Sequence, residues 1–285
     1  MINNTLRSLI HGQTQLADEI IVVNGGGQND CSNTVALWQT QCNYLIEIKT
    51  ENINLANSRN IGLKATKGDL VLMTDDDAEV FPDWIAQMQT AHMHYPDAGC
   101  IGGEVVDRGG DTLLSKLADA ITFPKYDCIK EVRTVPGVNC SYKRKVLEAI
   151  GLQDISLFRG EDVDFNWRVI QAGYKVLYLP DIKVYHYHRS TWKGLFNQHY
   201  MYGRAYYRVR EKWPNMYSAY PRHLKSVKMF LKAMYLPLLP WHHALLKVNS
   251  LHSIKDKFLG YLVFVAISYT SMYGTLKQYI IDKSI

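Results

Sequence analysis

Three consecutive carboxylates, Asp75, Asp76 and Asp77, follow the apolar run Leu70-Val71-Leu72-Met73. An unbroken run of this kind reads as a strand buried on both faces, and in parallel sheets binding sites gather at the carboxyl ends of strands. Adjacent acids repel one another, so something positive must offset them. Oxygen ligands suit a hard divalent ion such as Mg2+ or Mn2+, which often bridges carboxylates to phosphate. The same three acids, alone, fit a solvated acidic turn equally well. Further along, Glu161 and Asp162 directly follow Gly160, at the first turn of an expected helix. The helix dipole favours negative charge there, for capping as much as for chemistry. His186 and His188 alternate with tyrosines, so on an extended strand both would share one face, as ligands or as structural hydrogen-bonding groups.

The elements that must position these groups are legible from periodicity. Glu19 to Val23 reads as a buried strand running into Asn24-Gly25-Gly26-Gly27, a turn that allows close backbone approach but is neither a dinucleotide fingerprint nor a Lys-bearing phosphate loop. Asp30 is placed to cap a helix over 31–41. A strand is expected over 44–48 and a helix from about Ala56 to Thr66 carrying Arg59, a residue suited to bidentate contacts with phosphate or carboxylate. Pro82 opens a helix to Tyr95, with Trp84, Ile85, Met88 and Ala91 facing inward. A strand follows at 101–106, giving the order βαβαβαβ of a sheet flanked by helices. Residues 107–134 read as a surface excursion with a short helix at 112–121. A strand near 138–142, helices over 143–150 and 161–172, and a last strand at 174–179 stopped by Pro180 complete this part. Helices are expected over 192–212, 223–236 and 254–281, with breaks at Pro214 and Pro221.

With 285 residues the chain can bury a full core. Its five cysteines are scattered and odd in number, against a disulfide scaffold or zinc site and in keeping with a reducing compartment. No basic-then-apolar segment opens the sequence, so export is not expected. The net charge of +5 conceals an asymmetry: residues 1–188 carry −7 and residues 189–285 carry +12. A basic, aromatic-rich tail fits an anionic membrane surface better than nucleic acid. Residues 259–276 approach the length of a bilayer span, but their marginal hydropathy favours interfacial attachment over one membrane segment. The expected localisation is peripheral, on the cytoplasmic side.

Acids at a strand end, a Gly-rich turn and acids at a helix start converge on one chemistry. One carboxylate pair can hold a divalent ion across a diphosphate while another carboxylate deprotonates an acceptor hydroxyl for displacement at a sugar carbon. In order, residues 19–26, Asn57-Ser58-Arg59-Asn60-Ile61-Gly62, 68–77, Gly137-Val138-Asn139-Cys140-Ser141 and 160–168 resemble family 2 glycosyltransferases over residues 5–190. The resemblance implies an α/β protein of the GT-A fold: a Rossmann-like, mixed, mostly parallel sheet flanked by helices at 1–190, followed by a basic helical region at 191–285. It implies an inverting, metal-dependent transferase using a nucleotide-diphosphate sugar donor and a lipid, glycan or protein acceptor, in cell-surface glycan or glycolipid synthesis. Asp75 and Asp77 match the metal- and diphosphate-holding pair, and Asp76 the turn or the donor ribose. Asn24 stands where an aspartate usually meets the nucleobase, beside Gly25, and Arg59 matches a basic position near the nucleotide. Asp162 matches the general base, with Glu161 lining the acceptor side, and His186 a third metal ligand. His188 is the weaker candidate. Self-association is left open.

The resemblance also exposes a departure. Such proteins begin with a strand before the first helix, and this chain starts inside that helix. The missing strand would lie between those at 19–23 and 70–74, and its absence would open a gap of about 4.8 Å on each side. Either the true start lies upstream or the product is a weakened enzyme. Two rival readings follow: a catalytically impaired sugar-nucleotide-binding protein, and a nucleotidyltransferase, although the basic Gly-Arg-rich loop usual for the latter is not found.

Overall fold

The computed structural model describes residues 1–216, 236–251 and 253–284. The expected helix over 223–236 falls almost wholly outside these residues, as does the break at Pro221. The chain divides into two compact units, one formed by Met1–Arg108 with Lys125–Tyr187 and the other by Gly109–Pro124 with His188–Ile285.

In the first unit α1 (Ile2–Ile10) leads to β1 (Ile20–Asn24), α2 (Ser32–Gln39) and β2 (Leu45–Lys49). There follow α3 (Leu55–Ala65), β3 (Leu70–Met73), β4 (Ala78–Val80), α4 (Trp84–His94) and β5 (Ala98–Asp107). After the excursion come β6 (Lys130–Glu131), β7 (Cys140–Lys143), α6 (Arg144–Ile150), α7 (Glu161–Gln171) and β8 (Lys175–His186). Local chemistry sets several boundaries. The Asn54 side chain accepts from Asn57 N at the start of α3, satisfying one of the orphan donors of a helix N-terminus. Gly160 takes a left-handed conformation (φ 79°) to launch α7, a geometry that suits glycine. The inward face expected of α4 is buried at Trp84, Ile85, Met88 and Ala91.

The architecture is the expected α/β one, with a central mixed sheet flanked by helices. Its pairing is less parallel than the βαβ rhythm implies. Among the described residues the parallel pairs are β1 with β2 and β5 with β8. The antiparallel pairs are β3–β7, β5–β7, β4–β8 and β6–β8. The reason is β7, which inserts between β3 and β5 and runs against both. The last strand does not stop at Pro180. It continues to His186 because the β5–β8 register slips between Gly103 and Glu104, and residues 180–182 bulge out of the ladder. A bulge tolerates a proline that a regular central ladder would not. A Cβ on Gly103 would collide with the Ile182 carbonyl oxygen, so the bulge needs glycine opposite it.

The sheet is in two pieces. β1 and β2 form a separate parallel pair, while β3 begins a six-stranded sheet. β3 is accordingly only partly buried: among its residues Val71 alone is fully enclosed. The apolar run 70–73 reads as doubly buried, and it is half open because one flank lacks a neighbouring strand. The core proper lies between β3, β5, β7, β8 and α6–α7, around Val71, Cys100, Tyr142, Phe165, Val176 and Tyr178.

The second unit holds α5 (Leu113–Thr122), α8 (Trp192–Lys212), α9 (Leu239–Val248) and α10 (Ile254–Lys283). The excursion therefore contributes its helix to this unit, where Leu117 packs with Ala244, Phe264 and Val265. Gly203 of α8 lies against the Ser271 backbone and Gly274 of α10 against the Tyr200 backbone, so the two helices pack closely. Arg204 donates to Gln278 at 2.9 Å and Arg208 pairs with Asp282 at 3.0 Å along the same seam.

A pH dependence follows from the core. His92 is buried on α4 with Nε2 2.9 Å from Ser141 Oγ. Burial, helped by the charge of Lys143, pushes its pKa down to about 4, whereas an unfolded histidine titrates near 6.5. The unfolded chain therefore takes up a proton that the folded chain refuses, and stability falls as pH drops from about 6.5 towards 4, by up to about 3 kcal/mol from this residue. Urea unfolding across that window is expected to show a shallower slope in His92→Gln than in the parent chain; parallel profiles would contradict it.

Candidate active site

The site is organised by Arg59, on the first half of α3. Its guanidinium donates from Nη2 to Asp75 Oδ1 at 3.0 Å and from Nη1 to Glu161 Oε1 at 2.9 Å. Only 11% of the side chain is exposed. Burial works against the charge, but the carboxylates of Asp75, Glu161 and Asp162 outweigh it and raise the pKa. One side chain thus ties the end of β3 to the start of α7, although Arg59 and Glu161 lie 102 positions apart. Gly137 permits this: a Cβ there would lie 2.7 Å from both Nη atoms.

The acidic turn divides its labour. Asp75, Asp77 and His186 each offer one ligand atom, and these atoms lie within 4.8 Å of one another. His186 Nε2 is 3.3 Å from Asp77 Oδ1. The histidine arrives there because Ala78 of β4 pairs with His186 at the end of β8. Two carboxylates and an imidazole fit a divalent cation, with the nitrogen favouring Mn2+ over Mg2+. Asp76 is the exposed member. Local desolvation, then the charges of Asp77 and Asp75, hold its carboxyl above the ordinary range. Its backbone carbonyl accepts from Thr5 Oγ1 at 2.9 Å, anchoring the turn to α1.

Across the site, the first turn of α7 presents two acids in unlike settings. Glu161 is 5% exposed, and desolvation, then Asp162, raises its pKa while Arg59 opposes the rise. Asp162 is half-buried. Its Oδ1 accepts from Val163 N at 2.8 Å and its Oδ2 from Gly137 N at 3.4 Å.

The two histidines part company. His186 closes β8 in the first unit, whereas His188 belongs to the second and faces Asp119 at 3.5 Å. They do not share a strand face, because β8 ends between them.

At the end of β1, Asn24 is 4% exposed. Its amide nitrogen lies 2.7 Å from Asp30 Oδ1, 2.7 Å from Glu47 Oε1 and 3.1 Å from Ser32 Oγ. Its oxygen accepts from Gly26 N at 2.9 Å. Gly25 packs against Asn52. The outward carboxylate of this loop belongs to Asp30. The Ser32 amide, then the Asn24 side chain, lower its pKa to about 2. Sequence reading gave Asp30 only a capping role; Asn24, Asp30, Ser32 and Glu47 form one network that no local motif announces. Gly137 was also missed as the passage for Arg59, since only the tertiary fold brings them together.

The family model "Glycosyl transferase family 2" matches residues 1–151. The poly-beta-1,6-N-acetyl-D-glucosamine synthase of Staphylococcus aureus (strain COL) is 25% identical over 187 residues, covering 63% of this chain and 45% of the synthase. The chain thus spans about half the length of that relative. The glucosyl-dolichyl phosphate glucuronosyltransferase of Haloferax volcanii is 26% identical over 201 residues, covering 65% of this chain and 63% of the enzyme. In fold, the chain resembles the mannosyltransferase PcManGT of Pyrobaculum calidifontis, solved in complex with GDP-Man and Mn2+. The TM-score is 0.66 at 17% identity, over 98% of this chain and 83% of that one. GalNAc-T7, solved with UDP, GalNAc and Mn2+, gives a TM-score of 0.56 at 18% identity, over 75% of this chain and 46% of that one.

The Arg59 bridge makes a stability prediction. Arg59→Met leaves Glu161 buried without its counter-charge and is expected to cost about 3 kcal/mol in urea unfolding. Removing both charges in Arg59→Met/Glu161→Met is expected to recover much of that loss. A double variant no more stable than the single one would count against the bridge as the organising contact.

Proposed function

Because the chain belongs to glycosyl transferase family 2, we propose that it moves a sugar from a nucleoside-diphosphate donor to an acceptor hydroxyl, inverting the anomeric carbon. The observation that carries this reading is the Arg59 bridge, which sets the carboxylates at the end of β3 and those at the start of α7 around one guanidinium. Asp75, Asp77 and His186 would hold a divalent cation, which when bound supplies charge to stabilise the departing diphosphate. Arg59 fixes Asp75 for that task. Asp162 takes the proton of the acceptor hydroxyl as its oxygen bonds to the anomeric carbon. The bond from that carbon to the phosphate oxygen breaks with its electron pair leaving on the nucleoside diphosphate. Glu161, buried and paired with Arg59, positions rather than reacts. Asn24 shapes the Gly-rich loop beside Gly25, and Asp30 is the carboxylate that loop offers to the nucleoside.

The committed state of the Asn24 amide and the divided sheet favour a second reading, a sugar-nucleotide-binding protein with impaired catalysis. Donor turnover separates the two. With Mn2+ present, the parent chain is expected to hydrolyse or transfer from a nucleotide-sugar donor. Asp77→Asn should lose metal-dependent donor binding together with activity. Asp162→Asn should keep donor binding and lose about a hundredfold or more in kcat, the usual scale for a positioned base. A parent chain that binds nucleotide but turns over no donor supports the second reading.

The second unit is proposed to rest on the cytoplasmic face of a membrane, against anionic lipid. Trp241 and Leu245 of α9 and Phe258, Leu262, Tyr269 and Tyr273 of α10 are exposed, on a segment of charge +12. Exposed aromatic and aliphatic side chains among basic ones suit a headgroup interface. α10 spans 30 residues and could cross a bilayer by length and composition alone. The protein is expected to sediment with phosphatidylserine-containing vesicles and to be released by high salt. Release by detergent only would show α10 inserted, and no sedimentation would remove the membrane from the picture.

A further inference from the structure

Glu161 is a buried acid whose side chain meets Arg59 Nη1 at 2.9 Å. Buried to that degree it offers little wall to an acceptor, and a carboxylate kept from water needs a counter-charge. What the pairing achieves is visible on the other arm of the guanidinium. There Arg59 Nη2 makes a single bond, to Asp75 Oδ1 at 3.0 Å. An arginine facing one carboxylate commonly closes on it with two parallel bonds, one to each oxygen. Here Glu161 holds the second nitrogen, and the fork opens across two acids. The backbone of the acidic turn is held without Arg59: Thr5 Oγ1 donates to the Asp76 carbonyl at 2.9 Å, and the Ala78 amide to the Asp75 carbonyl at 3.2 Å. Arg59 therefore governs the Asp75 side chain, and with it how many oxygens and how much charge are left for a cation.

We propose that Glu161 sets the cation affinity of the Asp75, Asp77 and His186 site without touching it, by drawing one arm of Arg59 away from Asp75. The role rests on the cation-site reading of those three residues and is independent of sugar transfer. With Glu161 in place, the single positive charge of Arg59 is shared between two carboxylates. Asp75 then keeps an oxygen, and part of its negative charge, for a divalent ion. With Glu161 neutral, both arms turn to Asp75, and guanidinium and metal ion compete for the same carboxylate. Glu161 is thus a positioning residue acting through Arg59, in the manner of the outer contacts that orient and tune the direct ligands of a metal. Linkage makes the effect reciprocal. A cation that draws charge from Asp75 leaves Arg59 more firmly on Glu161, which tightens the first turn of α7 beside Asp162.

The test titrates the full chain with Mn2+ alone, with no nucleotide sugar present, and follows free Mn2+ by its electron paramagnetic resonance signal. The urea transition of each variant checks that it is folded. Asp77→Asn marks the site. A parent chain that binds Mn2+ no better than Asp77→Asn would remove the cation site and this role with it, whatever the outcome for sugar transfer. Glu161→Gln is expected to weaken Mn2+ binding about tenfold. Asp162→Asn takes the same charge from the same helical turn without removing a bond to Arg59, and is expected to weaken binding by less than about threefold, the scale of a screened charge. Arg59→Met/Glu161→Met is expected to bind within about threefold of the parent, since no guanidinium is left to close on Asp75. Equal losses in Glu161→Gln and Asp162→Asn would reduce the effect to plain charge. A full loss persisting in the double variant would show that Glu161 does not act through Arg59. Either result, or unchanged affinity in Glu161→Gln, overturns the role.

Discussion

The arrangement depends on one buried guanidinium. Four acids, Asp75, Asp77, Glu161 and Asp162, are drawn towards one region by the ends of β3 and α7, and gathering like charges away from water is unfavourable. Arg59 answers this with two short ion pairs to acids that are neighbours only in the folded chain. Its planar fork meets two carboxylates at once, which the single ammonium of a lysine could not do in the same geometry. Gly137 leaves room for the fork, and the Asn54 cap starts the helix that carries it. Asp77 and Asp162 make their contacts elsewhere, with His186 and with the Val163 and Gly137 amides.

Around that charge balance the β5–β8 pair acts as the frame. β8 reaches His186 only because it passes through the bulge at 180–182, and the bulge exists only because Gly103 carries no side chain. A fold-level irregularity thus sets a side-chain position: the extra length of β8 brings an imidazole to the acidic turn, which β4 presses against it. Asn139 supports the same region, donating to the Glu104 and Ile182 carbonyls at 3.0 Å each and accepting from Trp84 at 2.8 Å. A fully buried amide with both ends satisfied specifies position more sharply than an apolar side chain of the same size could.

Much of this was legible in the sequence, and what was not has a physical cause. Long periodic segments such as α3, α4, α8 and α10 announced themselves through spacing, and the acidic turn through its place after an apolar run. The resemblance added Asp162 and His186 to the same site. Strand neighbours were not legible: nothing local says that β7 should lie between β3 and β5. Pro180 misled because a proline ends a regular strand but not a bulged one. His188 looked like the partner of His186 because an alternating pattern does not reveal where a strand stops. Arg59 read as a contact for phosphate, carboxylate or the nucleotide, but its two carboxylate partners were not legible, since they lie 16 and 102 positions away.

Asn24 joins the two halves of the problem. An aspartate at the end of β1 would add a negative charge beside Glu47 and Asp30, with no guanidinium among the contacts there. An amide instead donates to both acids and turns the cluster into a network. The outward charge of the loop then passes to Asp30, held ionised by the Ser32 amide and the Asn24 side chain. At β1, as at β3, neighbouring acids are tied together by contacts within the chain, through a neutral amide in one case and an arginine in the other. β1 and β3 are also linked through Glu19, which accepts from Lys67 and Gly68, and through α3. The amide is neutral and the guanidinium carries a single charge, so the rim of the site keeps a net negative charge, which is the setting that favours a divalent cation.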